Sequence, residues 1–358
     1  MKLDKFYSTL KNFTKTSETS GSYDMSFLHG KAEITDTATD RLSVVVNIDD
    51  IPEGIDTKVK LEGSAFNDLY AAGTKDFPSF IVRCGESTGR EELTFYDTSN
   101  LVKADIDSRR FLAFVKAAVE FNKQGKELFR ACVHQVCLEI KDSLLRMAYT
   151  NGKLLITSSF AVPEGFILPF KQTVIPCSVL PFVQAMAGKA KGNLSLYTTE
   201  DKVIFSDSQQ TIAYKCKEEH YPDMDKFITS DLVIVDEGFM SCHADTILAC
   251  DKEADWNPEK SKSKSKRINP PMVRLAQNSE VYYVEKDTGN ARRELGSWDN
   301  RFEFSCLFNV ELLKPILAYV KDTGESYKLG FEAGSKYSET GLIFSNQNSF
   351  IILMPMRG

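Results

Sequence analysis

The sequence predicts an α+β protein of three repeated units, each with two helices on one face of antiparallel sheets. Segments with apolar residues at helical spacing recur in pairs three times along the chain. The stretches between them alternate apolar and polar residues with a period of two, as strands with one buried face do.

The first helix of each unit is expected at Leu3–Lys15, Asp107–Lys123 and Asp236–Lys252. Phe6, Leu10 and Phe13, then Phe111, Phe114, Val115 and Ala118, form the apolar stripes of the first two. The second helix of each unit is expected at Ser64–Ala72, Cys177–Ala187 and Asn309–Val320, with Gly73 and Gly188 ending two of them in the left-handed conformation. Strands are expected at Arg41–Asn47, Val136–Ile140, Leu144–Thr150, Val203–Ser206, Val281–Glu285, Leu342–Ser345 and Ile351–Met354. Asn151-Gly152 is the strongest hairpin signal; Asp207-Ser208 and Asp322-Thr323-Gly324 read as loops. Boundaries near Lys103 and Ser230 give domains over 1–103, 104–229 and 230–358. Such units placed side by side leave free strand edges, which another repeat, or closure into a ring by dimerisation, would pair.

The chain has 358 residues, 42% hydrophobic and 26% charged, which excludes a disordered tail, a fibre and a disulfide miniprotein. No apolar run approaches the roughly 18 residues of a membrane span, and Lys2, Asp4 and Lys5 interrupt any secretory segment, so a cytoplasmic protein without membrane contact is expected. Eight cysteines without a Cys-x-x-Cys pair read as reduced core thiols, with no metal site and no cofactor. The net charge of −6 by itself argues against nucleic acid. Its distribution argues the other way, because the helical segments carry a basic excess. Helices sharing one face would present Lys5, Lys11, Arg109, Arg110, Lys116, Lys123, Lys189, Lys191, Lys314 and Lys321 together. Such a set suits a phosphate backbone read without sequence preference; the ordinary alternative is a solvated helix face.

Four motifs carry a resemblance. Ile351–Gly358 (IILMPMRG), Phe308-Asn309-Val310-x-x-Leu313, Arg146–Ser158 (RMAYTNGKLLITS) and Tyr221-Pro222-Asp223 stand in the order and spacing of the bacterial DNA polymerase III β sliding clamps. They resemble, in turn, that family's terminal Met-Pro-Met-Arg, the start of its last helix, its Thr-Asp-Gly-His-Arg-Leu hairpin and its Phe-Pro-Asp turn. The resemblance covers residues 105 to 358, and the first hundred match only through element order. It implies a ring-forming DNA clamp fold: a head-to-tail homodimer of three-domain subunits, threaded by double-stranded DNA. The implied function is that of a processivity factor, tethering a DNA polymerase loaded by a clamp loader.

The resemblance also implies a groove between the middle and last domains for short hydrophobic peptides of partner proteins. Its positions are Thr150, Gly152, Lys153, Leu154, Leu155, Pro222, Lys226, Phe227, Asn309, Leu312, Ile352, Leu353, Met354, Pro355, Met356 and Arg357. Methionines and aliphatics make such a groove deformable. The implied dimer seam joins Ile247 and Leu248 to Leu93 and Phe95 of the next subunit. The chain departs from the family at Lys153-Leu154, where His-Arg is usual, at Lys226 in place of Arg, and at the terminal Gly358. These departures imply peptides with acidic flanks and a divergent clamp, of phage or plasmid type. The Lys/Ser run Glu259–Arg267 reads as a flexible loop, or as an arm touching DNA.

An enzyme is the competing class, with a hydrolase as its form. Gly85-Glu86-Ser87-Thr88-Gly89 matches the nucleophile-elbow pattern but leads into a strand-like stretch rather than a helix. Cys132-x-His134 and Cys242-His243 pair thiol with imidazole without an orienting acid in the pattern, so no catalytic residue is expected. A clamp-like scaffold that binds proteins and does not encircle DNA is the third reading.

Overall fold

The structure, a computed structural model, describes residues 22–28, 30–36, 42–47, 56–62, 85–86, 98–124, 134–188, 192–207, 209–228, 231–253, 272–276, 281–286, 289–294, 305–332 and 341–355. Its strands are β1 (Ser22–Leu28), β2 (Lys31–Asp36), β3 (Leu42–Asn47), β4 (Asp56–Glu62), β5 (Gly85–Glu86), β6 (Ala104–Asp107) and β7 (Gln135–Lys141). They continue with β8 (Leu144–Thr150), β9 (Leu154–Ala161), β10 (Thr173–Pro176), β11 (Asn193–Thr198), β12 (Lys202–Ser206), β13 (Gln210–Lys215) and β14 (Leu232–Phe239). The last are β15 (Met272–Ala276), β16 (Val281–Lys286), β17 (Gly289–Glu294), β18 (Ser305–Asn309), β19 (Tyr327–Glu332), β20 (Leu342–Ser345) and β21 (Ser349–Leu353). Four described helices accompany them: α1 (Ser108–Gln124), α2 (Leu180–Ala187), α3 (Ser241–Glu253) and α4 (Val310–Thr323).

The residues fall into two compact units. One is drawn from Met1–Ser108, Cys137–Leu145 and Phe160–Tyr221, the other from Arg109–Val136, Arg146–Ser159 and Pro222–Gly358. The first holds a nine-stranded sheet in the order β5-β4-β1-β2-β3-β13-β12-β11-β6, in which every neighbouring pair is antiparallel. Here β3 pairs with β13, Val44 opposite Ile212, so a strand from the first hundred residues continues a sheet begun far along the chain. Tyr23, Met25, Phe27, Ile34, Val44 and Ile212 are buried, which is why these strands alternate in sequence.

Cys216 lies just beyond β13, and burial pushes its thiol up from 9.0 to about 12. Because the folded state keeps this proton longer than the unfolded chain does, the associated stability is complete below pH 9.0 and is lost as the pH rises toward about 12. Denaturation at stepped alkaline pH should show this loss. Cys216→Ala should flatten its slope, whereas an unchanged slope in the variant would assign the alkaline loss to other groups.

In the second unit six strands run β8-β9-β21-β20-β19-β14, beside a four-stranded sheet β17-β16-β15-β18. The pairing of β9 with β21, Leu155 opposite Ile352, again joins strands far apart in sequence, and it fills edges that would otherwise stand open. Tyr319 of α4 places its hydroxyl 2.7 Å from Ser349 Oγ of β21 and 3.4 Å from Ser158 Oγ of β9. Phe121 of α1 stacks on Tyr149 of β8 at 6.0 Å. One face of this sheet therefore packs on α1 and α4.

Three local readings change. The stretch 236–239, expected as the start of a helix, is the end of β14: it stays paired with β19 through Asp236 opposite Leu329 and buried Phe239 opposite Tyr327, with a register shift on either side of Asp236. The helix that follows begins at Ser241, where the backbone N–H of Met240 donates to His243 Nδ1 at 3.0 Å. Gly188 has φ −66° and ends α2 without a left-handed residue, its N–H bonding to Gln184 O at 2.9 Å. Gly324 is the glycine that does so (φ 67°), capping an α4 that runs through Thr323 instead of stopping at a loop. The helices expected at 3–15 and 64–72, and Gly73, lie outside the described residues.

Candidate peptide groove and DNA-facing helices

The Asn151-Gly152 turn is built as its chemistry predicts. Asn151 Oδ1 accepts from the N–H groups of Lys153 (3.0 Å) and Leu154 (3.1 Å), and Gly152 takes φ 80°. Thr150 Oγ1 donates to Leu154 O at 2.7 Å, closing the loop from the other side. The backbone N–H of Met354 donates to Lys153 O at 2.9 Å, so the end of β21 is tied to this hairpin.

Strand alternation sorts the residues. Ser158 and Ser349 face α4 through Tyr319, so Leu154, Ile156, Ile351 and Leu353 face it too, while Leu155, Phe350, Ile352 and Met354 face the other way. Leu154 and Leu353, expected in the groove, therefore belong to the core on the α4 side of the sheet. Leu312, also expected there, is buried on α4. Asn309 caps that helix by accepting from the Glu311 N–H at 2.8 Å. On the face turned away from α4 Leu155 is buried, Ile352 half-buried and Met354 44% exposed.

Arg146 joins this face to the turn at Met224–Lys226. Its strand neighbour Tyr149 points to α1, so Arg146 lies on the opposite face, where it is buried and its guanidinium meets Asp225 Oδ1 at 2.9 Å. Asp223 caps the same turn by accepting from the Asp225 N–H at 3.1 Å. The turn carries exposed Lys226 and Phe227, the latter 52% exposed, and follows half-buried Pro222. Arg146 was legible only as a charge inside the apolar run of β8, and no reading of spacing alone pairs it with Asp225. Thus Thr150, Gly152, Lys153, Leu155, Ile352 and Met354 are brought to one hairpin and strand end, and Arg146 ties Lys226 and Phe227 to that sheet. Pro355 continues the strand half-buried; Met356, Arg357 and Gly358 lie outside the described residues.

On the α4 side of the sheet the Tyr319 hydroxyl pairs with Ser349 Oγ at 2.7 Å and the Tyr327 hydroxyl with Thr323 Oγ1 at 3.1 Å. Burial pushes both phenols up, so both stay neutral at ordinary pH.

Of the ten cations expected to face DNA, Lys5, Lys11, Lys189 and Lys191 lie outside the described residues. The other six are engaged. Arg110 lies 3.1 Å from Glu325 and donates to Ser159 O at 3.0 Å; Lys116 is 2.8 Å from Asp322; Arg109 donates to Asp322 O at 2.7 Å. Lys123 pairs with Glu120 at 2.5 Å, Lys314 with Glu311 at 3.3 Å, and Lys321 with Asp245. The exposed members of this set are worth roughly 0–1 kcal/mol each, so they cost little to exchange.

At the expected seam Ile247 is only 4% exposed within its own chain, which corrects its reading as a seam residue: it is core. Leu248 is half-buried, and Leu93 and Phe95 lie outside the described residues. His134 Nδ1 lies 2.8 Å from Asn122 Oδ1; its proposed partner Cys132 lies outside the described residues, as do Ser87–Gly89 and the run 259–267. Cys242 is exposed, while His243 Nδ1 accepts the Met240 N–H. Among the described residues no three His, Cys, Asp or Glu side chains group as a metal site, and no helix is long and apolar enough to cross a membrane.

No family model and no curated protein sequence matches the chain. Its fold matches those of solved structures along their whole length. A DnaN sliding clamp from Bartonella birtlesii bound to griselimycin is similar at 14% identity and TM-score 0.69, covering 100% of this chain and 98% of that one. The Bacillus subtilis DNA polymerase sliding clamp gives 12%, 0.69, 100% and 98%. The Helicobacter pylori β clamp bound to a DNA ligase peptide gives 11%, 0.67, 99% and 98%.

Proposed function

We propose that this chain, which has the fold of the bacterial β sliding clamps, is itself a divergent processivity clamp: a non-enzymatic, three-domain subunit (1–103, 104–229, 230–358) that closes into a homodimeric ring around duplex DNA. It tethers a polymerase, and receives a clamp loader, through short hydrophobic peptides bound in the groove between its middle and last domains. The observation that carries the reading is the match of fold over nearly the full length of both chains. Two exposed apolar side chains support the groove, Met354 bonded through its backbone to the Asn151-Gly152 hairpin and Phe227 on the turn that Arg146 ties to the same sheet, since apolar side chains left in water are what a hydrophobic peptide would cover. Closed topology lets contact with DNA be weak and salt-sensitive without loss of the ring from it.

Incubation with linear duplex that is then closed by ligation tests encirclement. The protein should survive a high-salt wash on closed circles and be released by a single restriction cut. Loss from both forms would leave the protein-binding scaffold, a reading favoured by the partners already engaged by every described cation of the basic set. Light scattering should give twice the chain mass, and Leu248→Asp should shift it to the monomer with little loss of stability. An unchanged dimer in that variant would remove Leu248 from the seam.

A further inference from the structure

The basic face carries its own anions. Lys116 of α1 and Asp322 at the end of α4 are 2.8 Å apart, with side chains 45% and 40% exposed. Lys321 and Asp245 of α3 pair similarly, at 38% and 58%. Arg110 and Glu325 differ, at 20% and 25% exposed. Glu325 is held on its other oxygen by Asn346 Nδ2 at 2.8 Å, and Arg110 is also bonded to Ser159 O, so this pair is a fixed strut between α1 and the ends of the sheet's inner strands.

Asp322 is poorly placed for its own helix. It sits in the last turn of α4, where the backbone carbonyls already concentrate negative charge and a cation is the stabilising choice. Helix stability therefore does not account for it; its side chain lies against a cation of a neighbouring helix. The same holds for the patch as a whole: Arg109, Lys116 and Lys321 are offset by Asp322 and Asp245, so three cations leave one net positive charge.

We propose that Asp322 and Asp245 are built-in competitors for DNA phosphate. Each carboxylate occupies the ammonium that a phosphate would take and, once displaced, remains close enough to repel it. Duplex contact on this face is thereby held weak and short-lived, while Arg110 serves as a strut and takes no part in it. The inference rests on the clamp reading above.

Asp322→Asn and Asp245→Asn, singly and together, test it. The amide keeps the shape, and the bond from Arg109 to the carbonyl of residue 322 is unaffected. Affinity for a short duplex is measured by fluorescence anisotropy across a salt series, beside retention on closed circles. The double variant should bind about tenfold tighter at low salt, with a log-log salt slope steeper by up to about 1.8, roughly 0.9 for each phosphate newly engaged. Adding Lys116→Gln to Asp322→Asn should cancel the gain of that single variant. Parent protein retained on circles, with a folded double variant that binds no tighter and shows the parent's slope, overturns this inference and leaves the clamp reading standing. Parent protein lost from closed circles overturns both.

Discussion

A chain carrying Phe227→Asp and Met354→Asp is expected to keep the parent's thermal midpoint and to bind a short hydrophobic clamp-binding peptide at least about 100-fold more weakly. Both side chains stand about half in water, so replacing them touches little packing, and surface changes of this kind usually stay within about 0.5 kcal/mol. In the complex the cost is different. An apolar peptide side chain seated on either carboxylate must strip it of water without offering a partner, at roughly 2 kcal/mol or more for each site. Every 1.4 kcal/mol is about tenfold in affinity. Titration of a fluorescently labelled peptide, with thermal unfolding as the control, reads both quantities. Full affinity in the folded double variant would move the groove elsewhere. Leu155→Asp is the weaker probe: Leu155 is buried before any peptide arrives, so its loss of binding would mix with loss of fold.

Leu353→Ala should be the most destabilising single truncation at the end of the last strand. Leu353 is fully buried opposite Leu154 on the face covered by α4, and removing its branched side chain leaves a cavity costing about 2–5 kcal/mol. Its neighbour Met354, on the opposite face, should cost about 0.5 kcal/mol or less as Met354→Ala. Urea denaturation of the two variants measures the contrast directly. Equal midpoints would mean that β21 is not seated on β9 as described.

The elements legible in the sequence were those whose signals are local. The Asn151-Gly152 turn, α1 with its apolar stripe and α4 with Asn309 at its head each rest on neighbours a few residues apart, and they stand within a few residues of their expected places. The reading failed where two periods meet. Val235 to Phe239 continues a strand, but counted together with the helix from Ser241 its apolar residues also fit a helical spacing. The candidate groove could be named as a set of motifs but not sorted into faces, because whether Leu154 or Leu155 points outward depends on which side α4 covers. The charges were the least legible. Lys116 and Asp322 are 206 residues apart and Arg110 and Glu325 are 215 apart, so a cation that looks free along the chain can already have its partner. Isolated side-chain counts gave a basic face; packing added the acids to it.

The docking of β21 on β9 also bears on how the chain is made. Thr157 and Phe350, bonded to each other across this pair, are separated by 193 residues. On the ribosome the hairpin of β8 and β9 emerges long before its neighbour, and during that interval β9 shows an unpaired edge of backbone donors and acceptors next to apolar Leu155 and Ile156. Contacts this distant form slowly, because the intervening chain must be ordered before they reward it. Nascent chains should therefore expose a sticky strand for much of their synthesis, and holdase chaperones should bind the stretch from Leu154 to Ala161 until Ser349 to Leu353 arrives to cover it.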